Sequence, residues 1–196
     1  ATLAFAVAGW LIGASLLDIR KRKGARASAF AAALAHAGLG VTLMGVAGTT
    51  AWRSEALEVL GPGQTMQVGP YILRFDGVAR VEGPNYIADQ GRLALMDGGK
   101  VKAMLRPEQR FYPAENQSVS DTTIRTTGLR DLYVSLGDDR GQGRFAIRAY
   151  VSPLAPFIWL GGLVMALGGI LSLFGRLRLR APAPEDAAES QAQAAE

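Results

Sequence analysis

The sequence contains no cysteine and only one histidine, His36, in 196 residues. The absence of cysteine excludes disulfide bonds, thiol redox chemistry, thiolate metal sites and the C-x-x-C-H attachment of a c-type haem. With a single histidine, the chain alone cannot assemble a multi-histidine metal site, and without cysteine it has no cysteine–histidine nucleophile pair. No phosphate-binding glycine fingerprint is present either. The sequence therefore offers no complete catalytic set, and any haem held by this chain would be held non-covalently.

A strong charge imbalance is also missing from the middle of the chain. Residues 53–148 carry 13 basic and 12 acidic side chains, although the whole chain has a net charge of +4. The remaining basic residues lie in two short clusters, at 20–26 and 176–180, and each cluster flanks an apolar stretch. Lysine and arginine in short loops beside apolar spans mark the cytoplasmic side of a membrane. The basic pI therefore indicates membrane orientation and not a nucleic-acid surface.

The apolar stretches and the turn-rich centre predict a membrane protein of the α+β class. We expect three transmembrane helices, with an antiparallel β-rich extracytoplasmic domain (a curled sheet or partly open barrel) between helices 2 and 3. The chain opens at Ala1 inside an apolar run, so we expect a truncated first helix and a piece of a longer protein, either a fragment or a split-gene product. The predicted boundaries are helix 1–17, basic cytoplasmic loop 18–27, helix 28–50, β domain 51–152, helix 153–175 and disordered cytoplasmic tail 176–196.

Period-two alternation of apolar and polar residues predicts the strands of the central domain. Tyr71, Leu73 and Phe75 face one side of the predicted strand, and the residues between them face the other side. Two alternating runs on either side of Asp97-Gly98-Gly99 predict a hairpin with a glycine turn. Residues 131–136 and 145–151 predict a second hairpin. A domain of about 100 residues can bury a core without disulfides.

His36 is the most unusual residue, because it lies within the second apolar span. An ionisable side chain inside a membrane-length apolar helix is costly and suggests a functional site. Ala29, Ala32, Ala33 and Gly40 share its helical face, which is therefore almost bare of side chains. Such a face suits close helix packing. It equally suits a flat macrocycle beside an axial ligand, and the residues alone do not decide between the two.

Two stretches of the β domain combine aromatic and cationic residues. Residues 83–86 read Gly-Pro-Asn-Tyr, and residues 106–112 read Arg-Pro-Glu-Gln-Arg-Phe-Tyr. Arginines and aromatic faces near a membrane could hold propionates or a partner peptide. Solvated sheet faces and interfacial aromatics are the commoner explanation of such patterns.

Taken in order, these motifs resemble the C-terminal part of the CcmF family of cytochrome c maturation proteins. The resemblance covers residues 1–175 and rests on motifs in the family's order. They are Ala35-His36-Ala37-Gly38, Gly83-Pro84-Asn85-Tyr86, residues 106–112, Thr126-Thr127, Asp131-Leu132-Tyr133-Val134 and the Pro153–Gly161 start of the last helix.

The resemblance implies a role in a membrane haem lyase that joins haem to apocytochrome c. It implies a bacterial inner-membrane location, with 51–152 periplasmic and the C-terminus cytoplasmic. The implied partners are the remainder of CcmF, CcmH, CcmI, the haem chaperone CcmE and apocytochrome c. The implied cofactor is an intramembrane b-type haem with His36 as one axial ligand to its iron. The resemblance also makes Tyr86, Arg110 and Tyr133 partner-surface candidates.

The family's tryptophan-rich haem-handling segment, its outer-face histidines and its second b-haem ligand are not in this sequence. The chain is therefore not catalytically complete by itself. The alternative function is a non-enzymatic membrane scaffold whose β domain docks partners of an assembly complex. A transporter is less favoured, since paired intramembrane charges and repeated broken helices are missing.

Overall fold

The computed structural model describes residues 2–21 and 27–179, which divide into two units. Among the described residues, the helical unit comprises 2–21, 27–44 and 158–179. The β unit comprises Gly45–Phe157. Residues 180–196 of the predicted tail 176–196, and residues 22–26 of the predicted basic loop 18–27, lie outside the described residues.

Three long helices account for the apolar stretches: α1 (Thr2–Lys21), α2 (Ala27–Ala51) and α3 (Ala155–Leu179). Alanine, leucine and methionine favour helix. The first two helices contain no proline, and the third has proline only in its first turn. Each helix contains a stretch long and apolar enough to cross a membrane. The α1 helix continues through Asp18 to Lys21, past the end of its apolar run.

Glycines bring the helices of the helical unit into close contact. A Cβ atom at Gly38 of α2 would lie 2.6 Å from the backbone nitrogen of Met165 in α3. A Cβ atom at Gly40 would lie 2.7 Å from Cγ1 of Ile12 in α1. Real side-chain atoms do not approach so closely, so these positions need glycine. Small residues are the usual means by which membrane helices bring their backbones together.

Ten strands form two antiparallel sheets in the β unit. One sheet has the order β1-β10-β9-β8, and the other has the order β2-β3-β4-β6-β7 with β5 also paired to β4. This result confirms the antiparallel, β-rich character that we predicted. The strands are β1 (Ser54–Leu60), β2 (Thr65–Val68), β3 (Tyr71–Glu82), β4 (Ile87–Asp97), β5 (Lys100–Leu105), β6 (Glu108–Tyr112), β7 (Gln117–Asp121), β8 (Thr123–Thr127), β9 (Arg130–Asp139) and β10 (Phe145–Pro153).

Both predicted hairpins are present. Strands β4 and β5 pair up to Asp97 and Lys100, so Gly98 and Gly99 form a two-residue turn. Their φ angles of 54° and 79° lie in the left-handed region that this turn type needs and that glycine adopts at no steric cost. Strands β9 and β10 pair from Arg130↔Pro153 toward the 140–144 loop. Local sequence signals therefore predicted both turns correctly.

One apolar core lies between the two sheets. Phe75 and Leu73 of β3 and Leu132 of β9 are fully buried, and the Phe75 ring packs 6.2 Å from that of Phe145. The inward residues alternate with exposed or half-buried neighbours, as period-two patterning requires. We predicted a curled sheet or partly open barrel, and the structure has two sheets with the core between them. The core residues are Leu60, Met66, Val68, Leu73, Phe75, Leu93, Leu95, Leu105, Leu132, Val134, Leu136, Ile147, Ala149 and Val151.

Candidate functional site

The imidazole of His36 is exposed on α2 and is held by its own helix. Its Nδ1 lies 2.7 Å from the carbonyl oxygen of Ala32, one helical turn earlier. A carbonyl oxygen only accepts hydrogen bonds, so Nδ1 carries the hydrogen and donates it. In the neutral ring, Nε2 then keeps its lone pair. A hydrogen bond of this kind fixes the tautomer and orientation of a histidine that ligates a metal through its other nitrogen.

A groove of about 480 Å³ lies between α1 and α2 in the helical unit, and His36 forms part of its wall. The wall is mainly apolar, and small side chains make up much of it, which leaves room beside the imidazole. Trp10 lines the groove from α1 with 70% of its surface exposed. The lining residues are Trp10, Leu11, Ala14, Ser15, Leu17, Asp18, Ala32, Ala33 and His36.

The sequence left two roles open for the small-residue face that includes His36, namely helix packing and cofactor binding. In the structure, one part of this face packs against α1 and another part lines the groove. Gly40 is buried against α1, where a Cβ atom would lie 3.0 Å from the carbonyl oxygen of Ala8. Ala32 is exposed and lines the groove. Ala33 is buried at 6% exposure and also borders the groove. Packing therefore uses one end of this face, and the other end remains open.

The groove offers few side chains that could ligate a metal. It therefore suits a metal that is already bound by a macrocycle and needs only one more ligand from this chain. Among residues 2–21 and 27–179, no group of three or more histidine or acidic side chains could hold a metal ion. The hydroxyl of Ser15 already donates to the carbonyl oxygen of Leu11 at 2.7 Å. A macrocycle whose ring nitrogens fill four positions needs only axial ligands from protein, and one neutral imidazole is such a ligand. The residues present therefore fit a haem better than a bare ion.

Two of the partner-surface candidates, Tyr86 and Arg110, lie together in the six-stranded sheet. The guanidinium of Arg110 is 4.7 Å from the centroid of the Tyr86 ring, which in turn lies 5.6 Å from the ring of Tyr112. Arg110 also pairs with Glu108 at 2.9 Å and with Asp121 at 2.6 Å. Arg110 is thus already satisfied by neighbours within the sheet.

This network perturbs the ionisation of its members. The pKa of Glu108 is lowered, first by the hydrogen bond from Gln90 and then by the bond from Arg110. The Nε2 atom of Gln90 lies 2.7 Å from Oε1 of Glu108. The pKa of Arg110 is raised, chiefly by its hydrogen bond to Glu108. Both shifts favour the ionised pair, which is consistent with a structural role in the sheet.

The third candidate, Tyr133, belongs to a separate cluster in the four-stranded sheet. Its ring stacks on Tyr150 at 4.6 Å with an angle of 11° between the planes. The guanidinium of Arg53 lies 4.1 Å from the centroid of the Tyr150 ring. The Tyr133 hydroxyl lies 3.5 Å from Asp131, and burial is the main cause of its raised pKa. The structure therefore does not bring Tyr133 together with Tyr86 and Arg110.

Trp10 and Asp18 line the groove beside His36 but were not predicted as site residues. In the sequence, both belong to α1 and resemble ordinary interfacial residues of a short first span. Their place in the groove depends on how α1 packs against α2 through Gly40. Sequence spacing within one helix carries no signal for that contact.

Comparison with known proteins gives consistent matches. The family model of the CcmF C-terminal beta-sandwich matches residues 51–153. Cytochrome c-type biogenesis protein CycK of Rhizobium meliloti is 43% identical, over 88% of this chain and 25% of that protein. Cytochrome c-type biogenesis protein CcmF of Pseudomonas aeruginosa is 34% identical, over 88% of this chain and 28% of that protein. The chain thus spans about a quarter of the length of these curated relatives.

A solved structure named Cytochrome c Heme Lyase CcmF has the same fold over most of the chain. The match has a TM-score of 0.69 and covers 82% of this chain and 28% of that one. Sequence identity in the match is 23%, so it supports the fold alone.

Proposed function

The chain belongs to the CcmF family, and we propose that it forms the C-terminal part of a membrane haem lyase that attaches haem to apocytochrome c. The relatives named as cytochrome c-type biogenesis proteins support a role in cytochrome c maturation. Because the chain matches about a quarter of their length, the lyase reaction belongs to the complete assembly. This chain contributes a cofactor ligand and a folded β unit to it.

In this proposal, His36 supplies one axial ligand to an intramembrane b-type haem. The observation that carries the proposal is the hydrogen bond from Nδ1 to the carbonyl oxygen of Ala32, which leaves Nε2 as the ligating nitrogen. The bare wall at Ala32 and Ala33 leaves room for the macrocycle beside the imidazole. The second axial ligand comes from outside this chain.

A b-type haem held there would supply one-electron redox chemistry to the lyase. The contribution of the chain is to bind, orient and shield the cofactor. The Ala32 carbonyl fixes the orientation of the imidazole, and the apolar wall limits access of water. Both effects influence the redox potential of a bound haem.

We place the β unit on the periplasmic side of a bacterial inner membrane and the C-terminus in the cytoplasm. The basic residues at 20–26 and 176–180 support this orientation, as does the single crossing by α2 between the first cluster and the β unit. The proposed partners are the remainder of CcmF, CcmH, CcmI, CcmE and apocytochrome c. We propose Tyr86, Arg110 and Tyr133 as partner-surface candidates; Arg110 is also engaged within its own sheet.

The test is a His36→Ala substitution in the full-length protein, with Leu39→Ala as the matched control. Leu39 is on the same helix and is exposed, but it does not line the groove. We expect the alanine variant of His36 to lose most of its b-type haem and its low-spin reduced spectrum, whereas the control keeps both. An unchanged spectrum and haem content in the His36 variant would rule out ligation by this residue.

The same experiment separates the lyase proposal from the scaffold alternative. His36→Gln removes the imidazole but keeps a polar side chain that can bond across a helix. A scaffold would still mature cytochrome c with this variant, and only changes in the β unit would stop maturation. The lyase proposal predicts that His36→Gln lowers both haem content and cytochrome c yield.

A further inference from the structure

A cavity of about 220 Å³ in the β unit is lined by an excess of cationic side chains. Arg125, Arg130 and Lys102 line it, together with one carboxylate, Asp97. The ammonium of Lys102 pairs with Asp97 at 2.8 Å. Within the described residues, neither arginine has an ion pair or a side-chain hydrogen bond. Three cations against one carboxylate leave two positive charges in excess. We call this space the basic cavity.

Arg125 has an unusual place for an arginine. On β8 it lies directly opposite Leu132 of β9, which is fully buried. Cross-strand partners project from the same face of a sheet, so Arg125 leaves β8 on the core side. Its Nε atom is buried and has no hydrogen-bond partner. A buried donor of this kind lowers stability unless another group accepts its hydrogen bond, and an anion is the best acceptor for a guanidinium.

The basic cavity lies at the end of the β unit where the chain joins the two helices. The β2–β3 turn lies there, since a Cβ atom at Gly69 would be 3.5 Å from side-chain atoms of both Ser54 and Val151. The β8–β9 turn is there too, because the Leu129 carbonyl accepts a hydrogen bond from the Leu154 backbone nitrogen at 2.7 Å. The chain enters this end from α2 and leaves it into α3. If those helices cross a membrane, the cavity is close to the lipid headgroups.

Exposed apolar residues accompany the cations at this end. Leu129, at the tip of the β8–β9 turn beside Arg130, is 57% exposed, and Trp52, between α2 and β1, is 56% exposed. A surface that combines tryptophan, an exposed leucine and basic side chains is typical of a membrane interface. This combination favours an amphipathic ligand over a small soluble anion.

We propose that the basic cavity binds the phosphate of an anionic lipid headgroup. Arg125 and Arg130 bind the phosphate oxygens, and the Thr127 hydroxyl, which also lines the cavity, donates a further hydrogen bond. Leu129 and Trp52 contact the acyl region beside the headgroup. This inference rests on the proposed function only in requiring that α2 and α3 span the membrane.

The experiment measures lipid retention by the full-length protein in a neutral detergent, using native mass spectrometry. The probes are dioleoylphosphatidylglycerol, dioleoylphosphatidylcholine and inorganic phosphate. The test variant is Arg125→Gln with Arg130→Gln. The matched control is Arg92→Gln with Arg144→Gln, which removes the same charge from exposed positions that do not line the basic cavity.

We expect the wild-type protein and the control to retain phosphatidylglycerol in preference to phosphatidylcholine. At low salt, the test variant should bind phosphatidylglycerol about twenty-five-fold more weakly, from about fivefold for each of the two cations removed. Arg130→Gln alone changes only an exposed side chain and should weaken binding about fivefold. It therefore keeps the test valid if the double variant folds poorly.

Equal retention of phosphatidylglycerol by the wild type, the double variant and Arg130→Gln would overturn the proposal. Complete displacement of the lipid by inorganic phosphate at equal concentration would also overturn it, because the site would then take free phosphate. Neither result bears on haem ligation by His36, which is read from the spectrum. Failure of this inference is therefore distinguishable from failure of the proposed function.

Discussion

The helical unit and the β unit pack in opposite ways: the helices approach where side chains are missing, and the sheets pack where side chains are large. In the helical unit, positions such as Gly38 and Gly40 lack side chains, so backbones approach closely and a groove stays open beside His36. In the β unit, large side chains such as Phe75 fill a core between two sheets. Several charges there, including Arg110, are paired with neighbours.

This contrast shows where function is to be sought in each unit. In the helical unit, the groove wall is mainly apolar, and His36 is the polar residue there whose Nε2 is left as a potential metal ligand. In the β unit, charged and aromatic side chains are common, so their presence alone says little. The informative exception there, among the described residues, is a buried guanidinium nitrogen without a hydrogen-bond partner, the Nε of Arg125. In both units, the candidate site is marked by a residue whose surroundings differ from those of its neighbours in the same unit.

The largest expected effect tests the filled core of the β unit. Phe75→Ala removes a fully buried ring and should lower the free energy of unfolding by about 3–5 kcal/mol. The matched control is Phe111→Ala, because Phe111 is 39% exposed in strand β6. Denaturant unfolding of the purified protein, followed by tyrosine and tryptophan fluorescence, measures both. Equal losses in the two variants would contradict the assigned core.

The next effect tests the close contacts of the helical unit. Gly38→Val places side-chain atoms where Met165 and the Gly161 carbonyl already lie, and should cost about 1–3 kcal/mol through overpacking. Gly169→Val is the control, since no heavy atom lies within 4 Å of a Cβ atom there. Thermal unfolding in detergent should show a lower midpoint for Gly38→Val only. Similar midpoints would mean that α2 and α3 do not pack at Gly38.

The next substitution fills the open part of the groove. It should change stability little but lower the haem content clearly. Ala32→Leu adds three carbon atoms to an exposed position in the groove wall and leaves the carbonyl that orients His36 in place. Stability should change by less than about 1 kcal/mol, because exposed substitutions are usually tolerated. Haem content should fall while the imidazole remains. The control is Leu39→Phe, which adds volume outside the groove and should leave haem content unchanged.

The smallest effect tests the paired charges of the β unit through pH. Because the folded-state pKa of Glu108 is lowered, its ionised form stabilises the fold above its ordinary pKa of 4.5. That contribution is lost as the pH falls below 4.5 toward the folded-state pKa. Glu108→Gln should therefore reduce the acid dependence of the unfolding midpoint in this range. Asp97→Asn, in a pair with Lys102 whose side chains are 67% and 55% exposed, should reduce it less.

Local structure was predictable from the sequence because its causes are local. Asp97-Gly98-Gly99 specifies a tight turn by itself, and alternation around Phe75 identifies the buried face of β3. The bond from His36 to Ala32 also follows from one helical turn of spacing. The pairing of β1 with β10 was not predictable in this way. It joins Ser54 to Val151, which are far apart in the sequence, and no local signal specifies the division into two sheets.

The two cavities illustrate the same limit. The groove needs Trp10 of α1 opposite Ala32 of α2, and this contact depends on interhelical packing. The basic cavity needs Arg125 on the core side of β8. That strand reads Thr123-Ile124-Arg125-Thr126-Thr127, with no apolar stripe to indicate which face is buried. His36 was identifiable from the sequence because a lone imidazole contrasts with its apolar helix, whereas Arg125 resembles many other surface arginines.

The central claim is that the imidazole of His36 ligates haem iron. The most direct measurement is chemical rescue of His36→Gly in the full-length protein. The account predicts that this variant loses the low-spin b-type spectrum, and that added imidazole restores it by entering the space that the side chain leaves. A low-spin spectrum that is unchanged by the substitution, or that imidazole does not restore in a folded variant loaded with haem, would contradict ligation by His36.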